Sequence, residues 1–442
     1  MPAAEPVGPV RDDELSALFA PAAGAVRIAL AVSGGADSLA LLCLYDRWRR
    51  RAKGPDAVVL TVDHRLRRES RREAADVADA ADMRGLPVRI LVWKGEHPRT
   101  GLEAAARTAR YRLLLGACAE AGASHLLLAH HRDDQAETLL LRLARGSGIF
   151  GLAAMRPMVK AGAVTILRPF LDVPRARLAA TVAIAGLAPV ADPMNADPRF
   201  ARARIRRIMP LLAADGIDPA GLAESARRFA AAADAIDAAA SDLIGAAVEV
   251  DDLAVAKLDA DLFRLAPGEV RLRLLARLLM AVGGDDYAPH QVKLAAMAAA
   301  IAGFPRRGRF KRTLAGTVVD WRQGRFHFYR EIGRSGLARI KVMPGFDGIW
   351  DHRFAVQLDG KGGAGLTLGA LGEAGRLEIG ARAGEAAAGA LAALPVLRRG
   401  ETLISVPLPG FPAGKLALQA TFRQVVGSRL AEPPRFPDLA VD

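Results

Sequence analysis

The sequence predicts an α/β fold: an N-terminal doubly wound parallel sheet, a mainly helical middle domain and a small α+β domain at the C-terminal end. Three observations carry this. Over the first half, short β-branched runs alternate with longer helical patterns, the signature of right-handed βαβ units in a sheet covered on both faces. From Asp218 to about Ala302 the chain is Ala-rich and helical, almost free of strand signals. From about Arg334 onward Gly, Pro and short strand-like runs take over. Domains are therefore expected at 1–216, 217–333 and 334–442.

The strand-like runs of the first half are Val26 to Val32, Ala57 to Val62, Val88 to Trp93, His125 to His130 and Val164 to Arg168. Helical segments begin near Asp37, Ser70, Leu102 and Asp133. Ligands of such sheets bind where strands end and helices begin, so the residues just after each strand are the ones to inspect. Further on, PRRGRFKRTLAGTVVDWRQGRFHFYREI reads as a basic loop followed by a short hairpin with Gly324 at its turn.

The chain has 442 residues, about three times an ordinary domain. Its 61 Lys and Arg against 48 Asp and Glu leave a net charge of +13, which favours a polyanionic partner through counterion release. Charge alone does not separate tRNA from DNA or an anionic membrane. Cys43 and Cys118 stand far apart, fitting neither a disulfide framework nor a metal cluster, so a reducing, cytoplasmic setting is expected. The opening MPAAEPVGPVRDDELSALF has acidic residues and prolines where a signal peptide needs a cationic start and an apolar core. No long uncharged apolar run predicts a membrane span.

The most informative segment is RIALAVSGGADSLALLCLY. A strand ends at Val32, the chain turns through Ser33, Gly34 and Gly35, and a helix starts near Asp37 and Ser38. Adjacent glycines let backbone approach a polyphosphate closely, and the helix start offers unpaired N–H groups to the anion. Ser33 and Ser38 add hydroxyl donors, and Asp37 is placed to hold Mg²⁺ against phosphates. No Lys follows the glycines, so this is not a Walker loop. The bland alternative, a tight strand–helix turn with a capping Asp, is weighed at about one in ten on the strength of the strand and the full SGGxDS. The second strand ends in TVDHRLRRES, which puts Asp63 and His64 near the same end of the sheet.

Three later segments matter. In GLEAAARTARYRLL, the spacing of Glu103, Arg107, Arg110 and Tyr111 lets most of them share one helix face, where two arginines can clamp a phosphate. Taken alone, that segment is more often an ordinary solvated helix face, by about two to one. In HLLLAHHRDDQAETLLLRLARGSGIFGL, a strand delivers His130 and His131, and Asp134 and Glu137 lie one turn apart on the following helix. Paired carboxylates suit a cationic substrate, while His plus two carboxylates also suits a metal; Asp133 and Asp134 equally favour a helix dipole. The third, ADPMNADPRFARARIRRIMPLL, follows a turn-rich core containing Asn195 with Arg199, Arg202, Arg204, Arg206 and Arg207, an electrostatic footprint for RNA phosphates or a solvated basic helix.

SGGADS after a strand resembles the loop of the PP-loop ATP pyrophosphatase superfamily, of the adenine-nucleotide alpha hydrolase-like fold. SGGADS, VDHRLR, EAAARTARYR, HHRDDQAET, RGSGIFGL and DPMNADPRFARARIR occur in the order seen in tRNA(Ile)-lysidine synthases. That resemblance spans Val26 to Leu211 closely and GTVVDWRQGRFHFYRE loosely; the tail matches only faintly, through RRGETLISVP. It implies an ATP- and Mg²⁺-dependent ligase that adenylates the wobble cytidine of the isoleucine tRNA with a CAU anticodon, then joins it to the ε-amine of free L-lysine. It also implies that Ser33, Gly34, Gly35, Ala36, Asp37, Ser38, Asp63 and His64 hold ATP, with Asp37 on the metal. Asp37, Arg107, Asp134 and Glu137 are the implied catalytic group. His130, His131, Asp134, Glu137, Arg110, Arg204 and Asn195 are implied to meet the substrates. Neither DNA nor membrane is an expected partner, and a homodimer is an expectation that no sequence signal addresses. The rivals are a tRNA 2-thiolation enzyme, disfavoured because no CxxC occurs, and a non-catalytic RNA-binding protein, disfavoured by the intact phosphate loop.

Overall fold

Runs such as RIALA and DAVVLTVD have no polar face, so they are stable only where both sides are covered. The computed structural model describes residues 8–65, 69–94, 98, 101–190, 197–360, 365–380, 387–408 and 418–432. Contacts divide the described residues into a first unit that ends at Ala233 and a second that begins at Asp234.

The first unit contains β1 Arg27–Ala31, β2 Asp56–Asp63, β3 Val88–Val92, β4 His125–Leu127, β5 Met158–Ala161 and β6 Val164–Leu167. They form one sheet in the order β3-β2-β1-β4-β6-β5. Every neighbouring pair is parallel except β5 and β6. The helices are α1 Leu15–Phe19, α2 Ala36–Ala52, α3 Ser70–Asp82, α4 Leu102–Ala121, α5 Arg132–Ala144, α6 Ile149–Leu152, α7 Arg175–Ile184 and α8 Ala201–Ala214; the division between units falls within α9 Pro219–Ala247.

Alternation along β1 sorts its side chains to two cores. Ile28 and Leu30 join Leu41, Leu44, Tyr45, Val77 and Leu178 from α2, α3 and α7. Ala29 and Ala31 join Tyr111, Leu114 and Cys118 from α4. Both faces are thus covered, as the uniformly apolar strands require. β1 pairs with β2 on one side and β4 on the other, so chain order reverses between β1 and β4. That is the switch point, where the segments following both strands open a crevice at the carboxyl ends of the sheet.

The second unit holds β7 Val248–Val250, β8 Ala256–Leu258, α10 Ala260–Leu265, α11 Gly268–Gly283, α12 Gln291–Gly303, β9 Lys311–Leu314, β10 Thr317–Arg322 and β11 Arg325–Arg330. These five strands are ordered β7-β8-β11-β10-β9, all antiparallel. Gln323 and Gly324 both take positive φ, 49° and 77°, at the hairpin between β10 and β11. Beyond them lie β12 Ile340–Val342, β13 Asp347–Trp350, β14 Phe354–Gly360, β15 Leu366–Ala370, α13 Gly372–Ile379, α14 Ala388–Ala392, β16 Pro395–Arg399, β17 Thr402–Ser405, β18 Leu418–Gln424 and α15 Val426–Ala431. They build a four-stranded sheet β12-β15-β16-β17 and a three-stranded one β13-β14-β18.

Three details differ from the sequence expectations. The stretch expected to be helical from Asp218 to Ala302 contains β7 and β8. Each is three residues long and gains its place by pairing, β8 with the distant β11, which local periodicity does not reveal. FKRTL, expected as loop, supplies β9. Pro210, a residue that a helix interior disfavours, sits inside α8, which continues to Ala214. No described helix is long and apolar enough to cross a membrane.

Candidate active site

The loop after β1 is closed by its own hydroxyl. Ser38 Oγ accepts from Ser33 N at 3.1 Å and donates to the Gly35 carbonyl at 2.9 Å. Gly34 has φ +86°, and a Cβ there would meet Val190 Cγ2 at 3.3 Å and Val77 Cγ2 at 3.4 Å. Its carbonyl accepts from Val190 N at 2.9 Å, so only glycine combines this turn with this close approach. Gly35 caps α2, and Ala36, Asp37 and Ser38 form its first turn, with their amides at the positive end of the helix.

Asp37 leads from this loop to the segment after β4. Its Oδ2 lies 3.5 Å from His131 Nε2, and its Oδ1 is buried with no hydrogen-bond partner among the described residues. Burial alone would raise the Asp37 carboxyl. The His131 hydrogen bond, with charge from His131, Arg175 and Arg206, outweighs burial and holds it below the ordinary range. His131, 1% exposed, also caps α5: Asp134 N donates to its Nδ1 at 3.3 Å, and its own N–H donates to Asp134 Oδ2 at 3.1 Å. This reciprocal box fixes both side chains. Burial disfavours charge on His131, but Asp37, Asp134 and Asp133 together raise its pKa.

Asp134 and Glu137 point into the same interior, 7% and 3% exposed. Arg206 Nε donates to Glu137 Oε1 at 2.6 Å, and its Nη2 lies 3.5 Å from Asp134 Oδ1. Arg202 Nη1 is 3.7 Å from the same Asp134 oxygen. Glu137 Oε2 is buried with no partner among the described residues. Burial pushes Glu137 above the ordinary carboxylate range, and Arg206 pulls the other way without cancelling it. His130 stands among cations: burial, then Arg168, Arg107, Arg202 and Arg110, hold its ring far below its usual pKa and therefore neutral. Arg107 also stacks over Tyr111, 5.2 Å from the ring centroid.

The structure therefore brings together Asp37, His131, Asp134 and Glu137, with His130, Arg107 and Arg110 grouped beside them. Asp63 and His64 lie at the end of β2, next to β1. Asp63 Oδ1 accepts from Arg65 N at 2.9 Å and Ser70 Oγ at 2.6 Å, which shapes the turn into α3. His64 meets Trp93 edge-on at 6.0 Å. Arg204 faces elsewhere: it is exposed, and its Nη1 donates to the carbonyls of Pro198 at 2.9 Å and Arg199 at 2.8 Å. Asn195 lies outside the described residues. Arg206 and Arg202 are the cations on the carboxylates, and their signal was present as a four-residue spacing along α8. Among the described residues no group of three or more His, Cys, Asp or Glu is placed to hold a metal.

A phosphate loop after the first strand of a sheet that switches direction there defines a PP-loop ATP-binding domain, and that family matches residues 10–212. Three curated relatives narrow the class. The tRNA(Ile)-lysidine synthase of Bradyrhizobium sp. strain BTAi1 is 45% identical over 332 residues, 71% of this chain and 92% of that protein. That of Rhodopseudomonas palustris is 47% identical over 326 residues, 70% of this chain and 91% of that protein. That of Ruegeria pomeroyi is 37% identical over 393 residues, 88% of this chain and 90% of that protein. The chain belongs to the tRNA(Ile)-lysidine synthase family.

Proposed function

We infer that the protein is an ATP-dependent carbon–nitrogen ligase that converts a cytidine of isoleucine tRNA to lysidine. The observation that carries this reading is the buried pair Asp134 and Glu137, joined through His131 to Asp37 of the phosphate loop. One end of that chain of contacts suits a polyphosphate and the other a primary ammonium.

In the first half-reaction the O2 atom of the wobble cytidine, in a CAU anticodon, attacks the α-phosphorus of ATP. The bond to the β-phosphate breaks and pyrophosphate leaves. The amides of the loop, held by Ser33 and Ser38, are positioned for the departing charge. Asp37 fits a Mg²⁺ ion: its Oδ1 is buried without a hydrogen-bond partner among the described residues, with only Arg175 Nε near it at 3.8 Å, and this cation commonly takes one or two carboxylates together with substrate phosphates. When bound, the ion neutralises phosphate charge. In the second half-reaction the ε-nitrogen of lysine attacks C2, the C2–O bond breaks, and AMP leaves with the oxygen. Glu137 Oε2 is an open acceptor for the ammonium, and the raised pKa of Glu137 favours passage of a proton from nitrogen to carboxylate. Arg107, Arg110 and Arg202 form the cationic side of the crevice, suited to nucleotide or tRNA phosphate. Asp63 and His64 are assigned to the nucleoside side. The base must unstack to enter, which a single-stranded anticodon loop permits.

The sulfur-transfer alternative gains no support. Cys43 on α2 and Cys118 on α4 are buried on helices covering opposite faces of the sheet. A cytoplasmic setting and a homodimer belong to the proposal, the latter readable by sedimentation. The functional test mixes protein, ATP, Mg²⁺, radiolabelled lysine and an unmodified isoleucine tRNA transcript bearing CAU. Label on RNA that requires ATP, survives mild alkaline deacylation and disappears in Asp37→Ala is the expected outcome. Pyrophosphate release without label would remove lysine as nucleophile; neither signal would remove the ligase assignment.

A further inference from the structure

On β11, residues alternate between two faces of the five-stranded sheet. Phe326 and Phe328 enter the large apolar core of the second unit, and His327 faces the other way. In register, His327 is opposite Lys257 on β8 and Asp320 on β10, so these side chains share that face. Arg322, two residues beyond Asp320, lies on it too. Here a cavity of about 210 Å³ is lined by Asp251, Val255, Lys257, Arg322, Gln323, His327 and Ala387.

Of the charged groups that line it, two are cations, Lys257 and Arg322, and one an anion, Asp251; Glu249, opposite Lys257 on β7, bonds Arg325 at 3.1 Å. Asp251 is committed: Oδ1 accepts from Leu253 N at 3.1 Å and Val255 N at 3.0 Å, and Oδ2 faces Lys257 Nζ at 3.4 Å. Asp320 has Lys311 as its register neighbour on β9. The half-buried guanidinium of Arg322 makes no ion pair or hydrogen bond to any described residue, and Lys257 keeps ammonium protons to spare. His327, 9% exposed, has no hydrogen-bond partner for its ring among the described residues. Burial, then Lys257 and Arg322, lower its pKa, so it offers one donor and one acceptor. The cavity is below the ~300 Å³ of pockets that enclose a drug-sized ligand, so it suits one group of a larger molecule.

We propose that this cavity seats one backbone unit of the tRNA, with a phosphate on Arg322 and Lys257 and the neighbouring ribose 2′-hydroxyl on His327. Two cations suit the phosphate, and a group able to donate and accept suits a hydroxyl, which is what separates RNA from DNA at a given site. The proposal takes tRNA as partner from the functional reading and otherwise stands apart from it.

The test is binding of an unmodified isoleucine tRNA transcript across a salt series. Arg322→Gln and Lys257→Gln should each lower the slope of log affinity against log salt by about 1, raise KM for tRNA and leave turnover at saturating tRNA unchanged. The His327 ring resonances should move on adding tRNA, and more weakly on adding inorganic phosphate. Unchanged slopes in both variants, with their melting temperatures intact, overturn the proposal. Should phosphate move His327 while tRNA does not, the cavity is a free-anion site and the RNA assignment is wrong. If the wild type binds tRNA with the expected slope yet incorporates no lysine, the functional reading fails while this one stands.

Discussion

The buried carboxylates of the two units differ in how fully their oxygens are occupied. In the second unit Asp237 is saturated by Arg273, with Nε and Nη2 each donating at 2.7 Å, and Arg277 reaches it at 3.7 Å while bonding Ser241 Oγ at 2.7 Å. Asp351 is held likewise by Arg330 and Arg353, both oxygens occupied. In the first unit Asp37 and Glu137 each keep one buried oxygen without a hydrogen-bond partner among the described residues, that of Asp37 having only Arg175 Nε at 3.8 Å. A buried acceptor left open costs about 1–3 kcal/mol. Carboxylates with both oxygens hydrogen-bonded fasten helices and strands; those with one oxygen left open are available to a ligand. The same residue types serve opposite ends because of two unfilled lone-pair positions.

The comparison breaks most readily at Asp37 and Glu137. Asp37→Asn should lower both pyrophosphate release and lysine incorporation by about 10²–10³-fold, as loss of a charge-stabilising group does, with the melting temperature nearly unchanged. Glu137→Gln should lower lysine incorporation by about 10²-fold and spare tRNA-dependent pyrophosphate release. Equal loss in both assays would remove Glu137 from the second half-reaction. Asp237→Ala is the mirror case. It removes the carboxylate facing two buried guanidiniums and should cost about 3–5 kcal/mol in denaturant unfolding, with residual activity tracking the folded fraction.

A pH series sharpens the contrast. Glu137 must be ionised to hold an ammonium, and its pKa lies above the usual carboxylate range. KM for lysine should therefore rise as pH falls, on a limb placed above pH ~4.3. Arg206 lowers that pKa, so Arg206→Met should move the limb to higher pH; a limb that stays in place would detach Arg206 from Glu137. The smallest effect belongs to Arg204→Ala. An exposed side chain on two carbonyls should change tRNA affinity by no more than about twofold, within the ±0.5 kcal/mol typical of surface changes, while Arg202→Ala changes it more.

Local pattern made much of this legible. The strands from Arg27, Asp56, Val88, His125 and Val164, and the helices from Ser70 and Leu102, match runs whose periodicity is local. Asp37, His131, Asp134 and Glu137 were readable because topology sends each segment after a strand to one end of the sheet. Three-residue strands such as β7 are stabilised by partners far along the chain, and nothing in VEV announces them. Among closely spaced arginines, helix phase decides which one points inward. Arg204 and Arg206, two residues apart, fall on different faces of α8, and the sequence did not say which face meets the crevice.

The capping role of His131 has an outcome for inheritance. One imidazole starts the helix that carries Asp134 and Glu137 and also touches Asp37 across the crevice. A replacement at 131 that still capped the helix would lose Asp37, and one that kept Asp37 without capping would disturb the carboxylates. Suppressors of a damaged Asp37 should therefore arise at 131 only when the new side chain satisfies both, which leaves the pair very few roads along which to drift.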